Sequence, residues 1–129
     1  GTPAPVAALT ADARSVRGCI MAADPTMLAV SNVLSRDLVQ RCRFWPDVTG
    51  ETYGPYRRVL ADGRSVPRID NPAWQDALVD YLTSGAAVIV SRNASTGYDA
   101  ASYRMLTHEG RLLYREPGLA FVRTPVHQP

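Results

Sequence analysis

Residues 70–91, DNPAWQDALVDYLTSGAAVIVS, decide the fold class. Asp70-Asn71-Pro72 opens a helix: a capping side chain precedes a proline suited to the first helical turn. Trp74, Ala77, Leu78, Tyr81 and Leu82 recur at helical spacing and make one apolar stripe. Gly85 is a suitable residue just past the helix end. Residues 86–91 (AAVIVS) form a nearly continuous apolar run, too short for a second helix, and read as a central strand covered on both faces. The helix should cover the strand that follows it, burying Trp74, Leu78 and Tyr81 together with Val88 and Val90.

Toward the C-terminus, residues 93–99 (NASTGYD) read as a turn and 101–107 as a strand. Glu109-Gly110 turns the chain, 111–115 returns, Glu116-Pro117-Gly118 turns it again, and 119–123 is the last strand. With 86–91 these make a four-strand antiparallel meander. Asn93-Ala94-Ser95 matches a glycosylation sequon, which matters only in a eukaryotic secretory route.

Toward the N-terminus, residues 56–60 and 65–69 pair as a hairpin about Asp62-Gly63, with Pro67 restricting the second strand to a sheet edge. Residues 47–55 are a loop. Asp24-Pro25 opens a helix over 25–41, with Met27, Val30, Leu34, Leu38 and Cys42 on one face and Arg36, Asp37, Gln40 and Arg41 mostly elsewhere. Thr10 caps a first helix over 10–23, with Ala13, Val16, Cys19, Ile20 and Ala23 on its apolar face. Gly18 weakens that helix by about 1 kcal/mol relative to alanine.

The expected fold class is α+β: two N-terminal helices, a β-hairpin, a third helix, then an antiparallel meander packed on the helices, which lie on one face of a curved sheet. This order resembles the cone-shaped fold of nuclear transport factor 2-like domains. That resemblance implies no single function, because the same fold hosts enzymes, scaffolds and secretion components. Residues 1–9 (GTPAPVAAL) read as a linker or frayed tail, 10–123 as one domain and 124–129 (TPVHQP) as a tail.

Composition bounds the function. The chain has 129 residues, 46% hydrophobic and 20% charged, the profile of a folded domain rather than a disordered one. A net charge of +2 is too small to argue for nucleic acid or an anionic membrane surface. No apolar stretch approaches the ~20 residues that span a bilayer. No Walker motif, HExxH, GxSxG or phosphate-cradling glycine loop occurs, so no cofactor is expected, and no cysteine or histidine spacing supports a metal site. The expected partner is another protein or a small ligand. All 14 basic residues are arginine. Lysine-free composition reads either as a GC-rich genome or as a chain that offers no side-chain amine for ubiquitin transfer, as suits a translocated effector or a viral protein. The expected chain is soluble, and secretion or translocation stays open.

The two cysteines carry the first chemical question. On two antiparallel helices Cys19 and Cys42 would sit at heights about 20 Å apart, whereas a disulfide needs Cα atoms within ~7 Å. They therefore read as two inert core thiols. An early cysteine on a helix with a late histidine, Cys19 and His108, resembles the order in papain-like hydrolases, including the ovarian-tumour-type cysteine proteases. That resemblance implies a Cys19 thiolate activated by His108. The sequence departs from the family pattern in placing Cys19 mid-helix rather than at a helix start, and no glycine–aromatic signature surrounds His108.

A second set is His108, Glu109 and Arg111, with Arg104 on the facing strand. A small ribonuclease uses such groups, glutamate and histidine for proton transfer and arginine for phosphate. Two further clusters suit binding. One is the aromatic segment Phe44, Trp45, Tyr53 and Tyr56; the other is the arginines Arg57 and Arg58 with Arg64 and Arg68. The leading reading is a non-catalytic binding domain using these residues, and the alternative is a small hydrolase of either kind.

Overall fold

A computed structural model describes residues 1–23, 33–45, 57–92 and 97–125. Among them are helices α1 (Ala4–Ala13), α2 (Val33–Val39), α3 (Pro72–Thr83) and α4 (Ala100–Thr107). The strands are β1 (Ile20–Met21), β2 (Ala86–Arg92), β3 (Arg111–Glu116) and β4 (Leu119–Arg123). The class is α+β, and the four strands form one open, mixed sheet in the order β1-β2-β4-β3. β1 pairs parallel with β2, whereas β4 is antiparallel to both β2 and β3.

The central element is as its pattern dictates. Asn71 caps α3, its side-chain oxygen accepting from Trp74 N at 3.2 Å, and Pro72 lies in the first turn. The stripe Trp74, Leu78, Tyr81 and Leu82 is buried, and Ala86, Ala87, Val88 and Ile89 of β2 are buried too. Strand periodicity then divides the core. Ala87 and Ile89 face α3 and α4, packing with Trp74, Leu78, Tyr81, Leu82 and Leu106. Ala86 and Val88 face the opposite side with Leu9, Val16, Ile20, Val33 and Phe121. Thus α3 covers Ala87 and Ile89 rather than Val88 and Val90, and helical residues lie on both faces of the sheet, not one.

The meander is corrected at residues 100–107, which are helix and not strand. Asp99 caps this helix by accepting from Ser102 N at 2.7 Å, and the buried Ser102 and Leu106 lie one turn apart. With a helix in that place β2 and β3 cannot be neighbours joined by a tight turn. The hairpin β3–β4 folds back instead, and β4 inserts between β3 and β2.

The N-terminal helix is displaced toward the start of the chain. Pro5 in the first turn favours a start at Ala4, and α1 ends at Ala13, where Ser15 Oγ donates to Asp12 O at 2.7 Å. Residues 4–9, read as linker, are therefore helical, with Leu9 buried, and Cys19 lies in extended chain rather than on a helix. Thr124, assigned to the tail, is also buried and prolongs the pairing of β4 through Ala87. The second helix keeps only Val33–Val39 among the described residues; Met27 and Val30 lie outside them. Its buried face is rotated by one residue from expectation: Leu38 is 58% exposed, while Asp37 is 1% exposed. The hairpin about Asp62-Gly63 is present in short form, with a bridge between Val59 and Ser65, Gly63 at φ 87° and Leu60 N donating to Arg64 O at 2.7 Å. Its second limb passes through Pro67 into the 3-10 turn Arg68–Asp70 instead of continuing as a strand.

Candidate functional site

Cys19 and Cys42 form a disulfide, with Cα atoms 5.7 Å apart. The expectation of two separate core thiols fails because its geometric premise does. α1 stops before Cys19, and α2 stops at Val39, so neither cysteine sits on a helix. After α2 the chain reverses through Arg41, whose φ is 57°, and Cys42 N donates to Asp37 O at 2.9 Å. That turn folds Cys42 back against α2 and beside the segment leading into β1.

Two consecutive side chains of α2 organise the same corner. The Arg36 guanidinium donates to the carbonyls of Ala13 and Gly18, each at 2.9 Å, and to that of Val16. It thereby adds donors to backbone acceptors at the end of α1 and in the irregular chain that follows it. Asp37 Oδ1 accepts from Ile20 N at 3.2 Å, at the first residue of β1. The same oxygen lies 3.6 Å from Cys42 Sγ, whereas Asp37 Oδ2 is buried with no hydrogen-bond partner. Burial pushes the Asp37 carboxyl above its ordinary value, opposed in part by the Ile20 amide and the Arg36 charge.

The residues singled out from sequence are dispersed. Cys19 Sγ is bonded to Cys42, so the thiolate that a cysteine hydrolase requires exists only after reduction. His108 is the C-cap of α4 rather than a hairpin tip; its Nε2 lies 3.8 Å from Glu109 Oε1, and the two side chains are 78% and 80% exposed. Arg111 Nη1 stands 3.8 Å from the buried Asp12. Arg104 is exposed on α4. Trp45 is a core residue, its ring edge-on to Trp74 at 5.4 Å and 5.3 Å from Tyr81. Tyr53 and Tyr56 lie outside the described residues.

Arg57 and Arg58 are exposed on the short hairpin, with Arg64 and Arg68 near them in sequence. Arg57 Nε donates to Ser65 Oγ across the hairpin at 2.9 Å, and the Arg68 guanidinium stands 5.5 Å from the centre of the Trp74 ring. Val59, Leu60 and Ile69 are exposed along the same segment. A separate open groove of about 500 Å³ runs between α3 and α4, lined by Asp76, Asp80, Asp99, Val79 and Met105 among others, and includes none of the residues picked out from sequence.

Among the described residues no three histidine, cysteine, aspartate or glutamate side chains assemble as metal ligands, and no helix is long and apolar enough to cross a membrane. Sequence reasoning missed Asp37 and Arg36. The available signal was the pairing of Val33 with Asp37 four residues on, which puts the carboxylate on the face of the buried valine.

Fold and corner together define a disulfide-stapled α+β domain with helical residues on both faces of its sheet. No protein-family model matches the chain, and comparison with curated proteins and with solved structures returns no match.

Proposed function

We propose that this chain is a non-catalytic binding domain that works in an oxidising compartment and engages a protein through residues 57–69. The observation that carries the reading is the composition of that exposed surface. Exposed Arg57 and Arg58, with Arg64 ion-paired to Asp62, share this segment with the exposed aliphatic side chains of Val59, Leu60 and Ile69. Arginine beside apolar area is the mixture that protein interfaces favour, since its fork binds carboxylates while its stem covers apolar atoms. Residues 57–70 hold four arginines against two aspartates, so the complementary partner presents carboxylates around an apolar centre. The Cys19–Cys42 disulfide supports the choice of compartment, because such bonds persist where thiols are not kept reduced.

The test uses a fluorescein-labelled peptide of alternating glutamate and leucine as a defined acidic, apolar probe. Fluorescence anisotropy should show saturable binding that weakens with salt, and Arg57→Glu/Arg58→Glu should lower affinity by at least about tenfold, or roughly 1.4 kcal/mol. Val59→Ser/Leu60→Ser should also weaken it, while Arg104→Glu on α4 should not. Equal binding by the wild type and the Arg57/Arg58 double variant, both folded by circular dichroism, would overturn the assignment.

A further inference from the structure

The corner between α2 and β1 holds a feature that a passive staple does not require. The disulfide sulfur of Cys42 carries no proton and donates nothing to Asp37 Oδ1, 3.6 Å away, in the oxidised protein. A hydrogen bond there needs either a Cys42 thiol donating to the carboxylate or a protonated Asp37 donating to the sulfur. A carboxyl group is thus stationed against the sulfur of the more buried residue of the pair, Cys42 being 8% exposed and Cys19 half-buried.

We propose that Cys19–Cys42 is a thiol-exchange site: a thiolate of low molecular mass attacks Cys19, and the Asp37 carboxyl gives its proton to the departing Cys42 sulfur. Each step balances. The thiolate RS⁻ forms a bond to Cys19 Sγ as the Cys19–Cys42 bond breaks, and the electron pair of that bond leaves with Cys42. The Asp37 acid protonates this thiolate, leaving Cys42–SH, Asp37 carboxylate and the mixed disulfide Cys19–S–S–R. A second thiolate then attacks the R-bearing sulfur, releasing RSSR and the Cys19 thiolate, which takes a proton from water. Two thiols are oxidised and the protein disulfide gains two electrons. In the oxidising direction Asp37 as carboxylate accepts the Cys42 proton instead.

The surroundings suit the acid form. Asp37 Oδ2 is buried and has no hydrogen-bond partner, and burial outweighs the Ile20 amide and the Arg36 charge that favour the carboxylate. The cation next in sequence, Arg36, spends its donors on the carbonyls of Ala13, Val16 and Gly18. From β1 the group facing Asp37 is the uncharged Ile20 amide, and from the chain after α2 it is Cys42 itself. A protonated acid beside the leaving sulfur lowers the barrier to its departure, since the better-stabilised sulfur leaves faster. The lesser burial of Cys19 sets the direction of attack.

The experiment incubates the oxidised protein with glutathione over a pH series, quenches in acid, alkylates free thiols and maps both cysteines by mass spectrometry. The glutathione adduct should appear on Cys19 and the alkyl label on Cys42. Normalised to glutathione thiolate, the wild-type rate should fall as pH rises through the titration of Asp37. Asp37→Asn should be at least about tenfold slower where the wild type is fastest, and its normalised rate should not change with pH. An adduct on Cys42 in the wild type would overturn the proposal without recourse to any variant. So would equal rates and profiles in both proteins, or faster reduction of Asp37→Asn, which is the mark of a merely structural role.

Discussion

A carboxyl group that is 1% exposed and has an unpartnered oxygen opposes folding whenever it is ionised. Asp37 therefore makes the stability of this protein depend on pH in a stated direction. Its folded-state titration lies above the ordinary 3.8, so between those two values the folded chain keeps a proton that the unfolded chain has lost. Stability from this group is complete below 3.8 and is lost as pH rises through the folded-state value. Asp37→Asn keeps an oxygen for the Ile20 amide and cannot ionise. Its stability relative to wild type should therefore increase as pH is raised from about 3.5 to 8, other carboxylates cancelling in the difference. Urea melts across that range check it, and a constant or declining difference would show that Asp37 is not buried as described. Beyond its spacing from Val33, little of this was legible in the sequence. An aspartate in a run with Arg36, Gln40 and Arg41 looks solvated, and its burial depends on a one-residue rotation of α2 fixed by tertiary contacts.

At the scale of elements, legibility followed the strength of the local pattern. α3 and β2 were readable because Asn71-Pro72, the Trp74–Leu82 stripe and the run from Ala86 are each unambiguous and agree with one another. β3 and β4 were readable from the Pro117-Gly118 turn. The segment 100–107 was misread because an eight-residue helix gives little more than two turns of period, and its Asp99 cap looked like part of a turn. α1 was misplaced because Thr10 offered a plausible cap while Pro5 gave the true start. That shift, together with an α2 carried past Val39, is what argued against the disulfide, since helices through residues 19 and 42 hold the cysteines apart. The bridge closes a loop with a sequence separation of 23. Loop-closure entropy alone then gives about 3 kcal/mol, or roughly 10 °C in Tm for a domain of this size. Cys19→Ser/Cys42→Ser should lose that much in thermal melts, and wild type in excess reductant should fall to the same Tm. A loss below about 1 kcal/mol would mean that Arg36 and the β1–β2 pairing already restrain the unfolded chain as the bridge does.

Over the whole molecule, the order β1-β2-β4-β3 places β1 and β3 at opposite edges of the sheet. α1 packs on β3 at one edge of the sheet, and the chain leaving it reaches β1 at the opposite edge. A long-range hydrogen bond fastens this arrangement: Arg123 Nε on β4 donates to Asp12 Oδ1 on α1 at 2.9 Å, across a sequence separation of 111. Arg111 on β3 reinforces it at 3.8 Å. The Asp12 side chain is 4% exposed and that of Arg123 is 14% exposed, so each is held away from water and depends on the other. Removing one partner strands the other's charge, which costs more than the pair itself contributes. Asp12→Ala should therefore destabilise by about 3–5 kcal/mol. Asp12→Ala/Arg123→Ala should lose less than the sum of the single variants, with a coupling of roughly 1–3 kcal/mol. A coupling within about 0.5 kcal/mol of zero would mean that α1 is held to the sheet by Leu9 and its apolar neighbours alone. The pair would then carry no share of the attachment of α1 to β4.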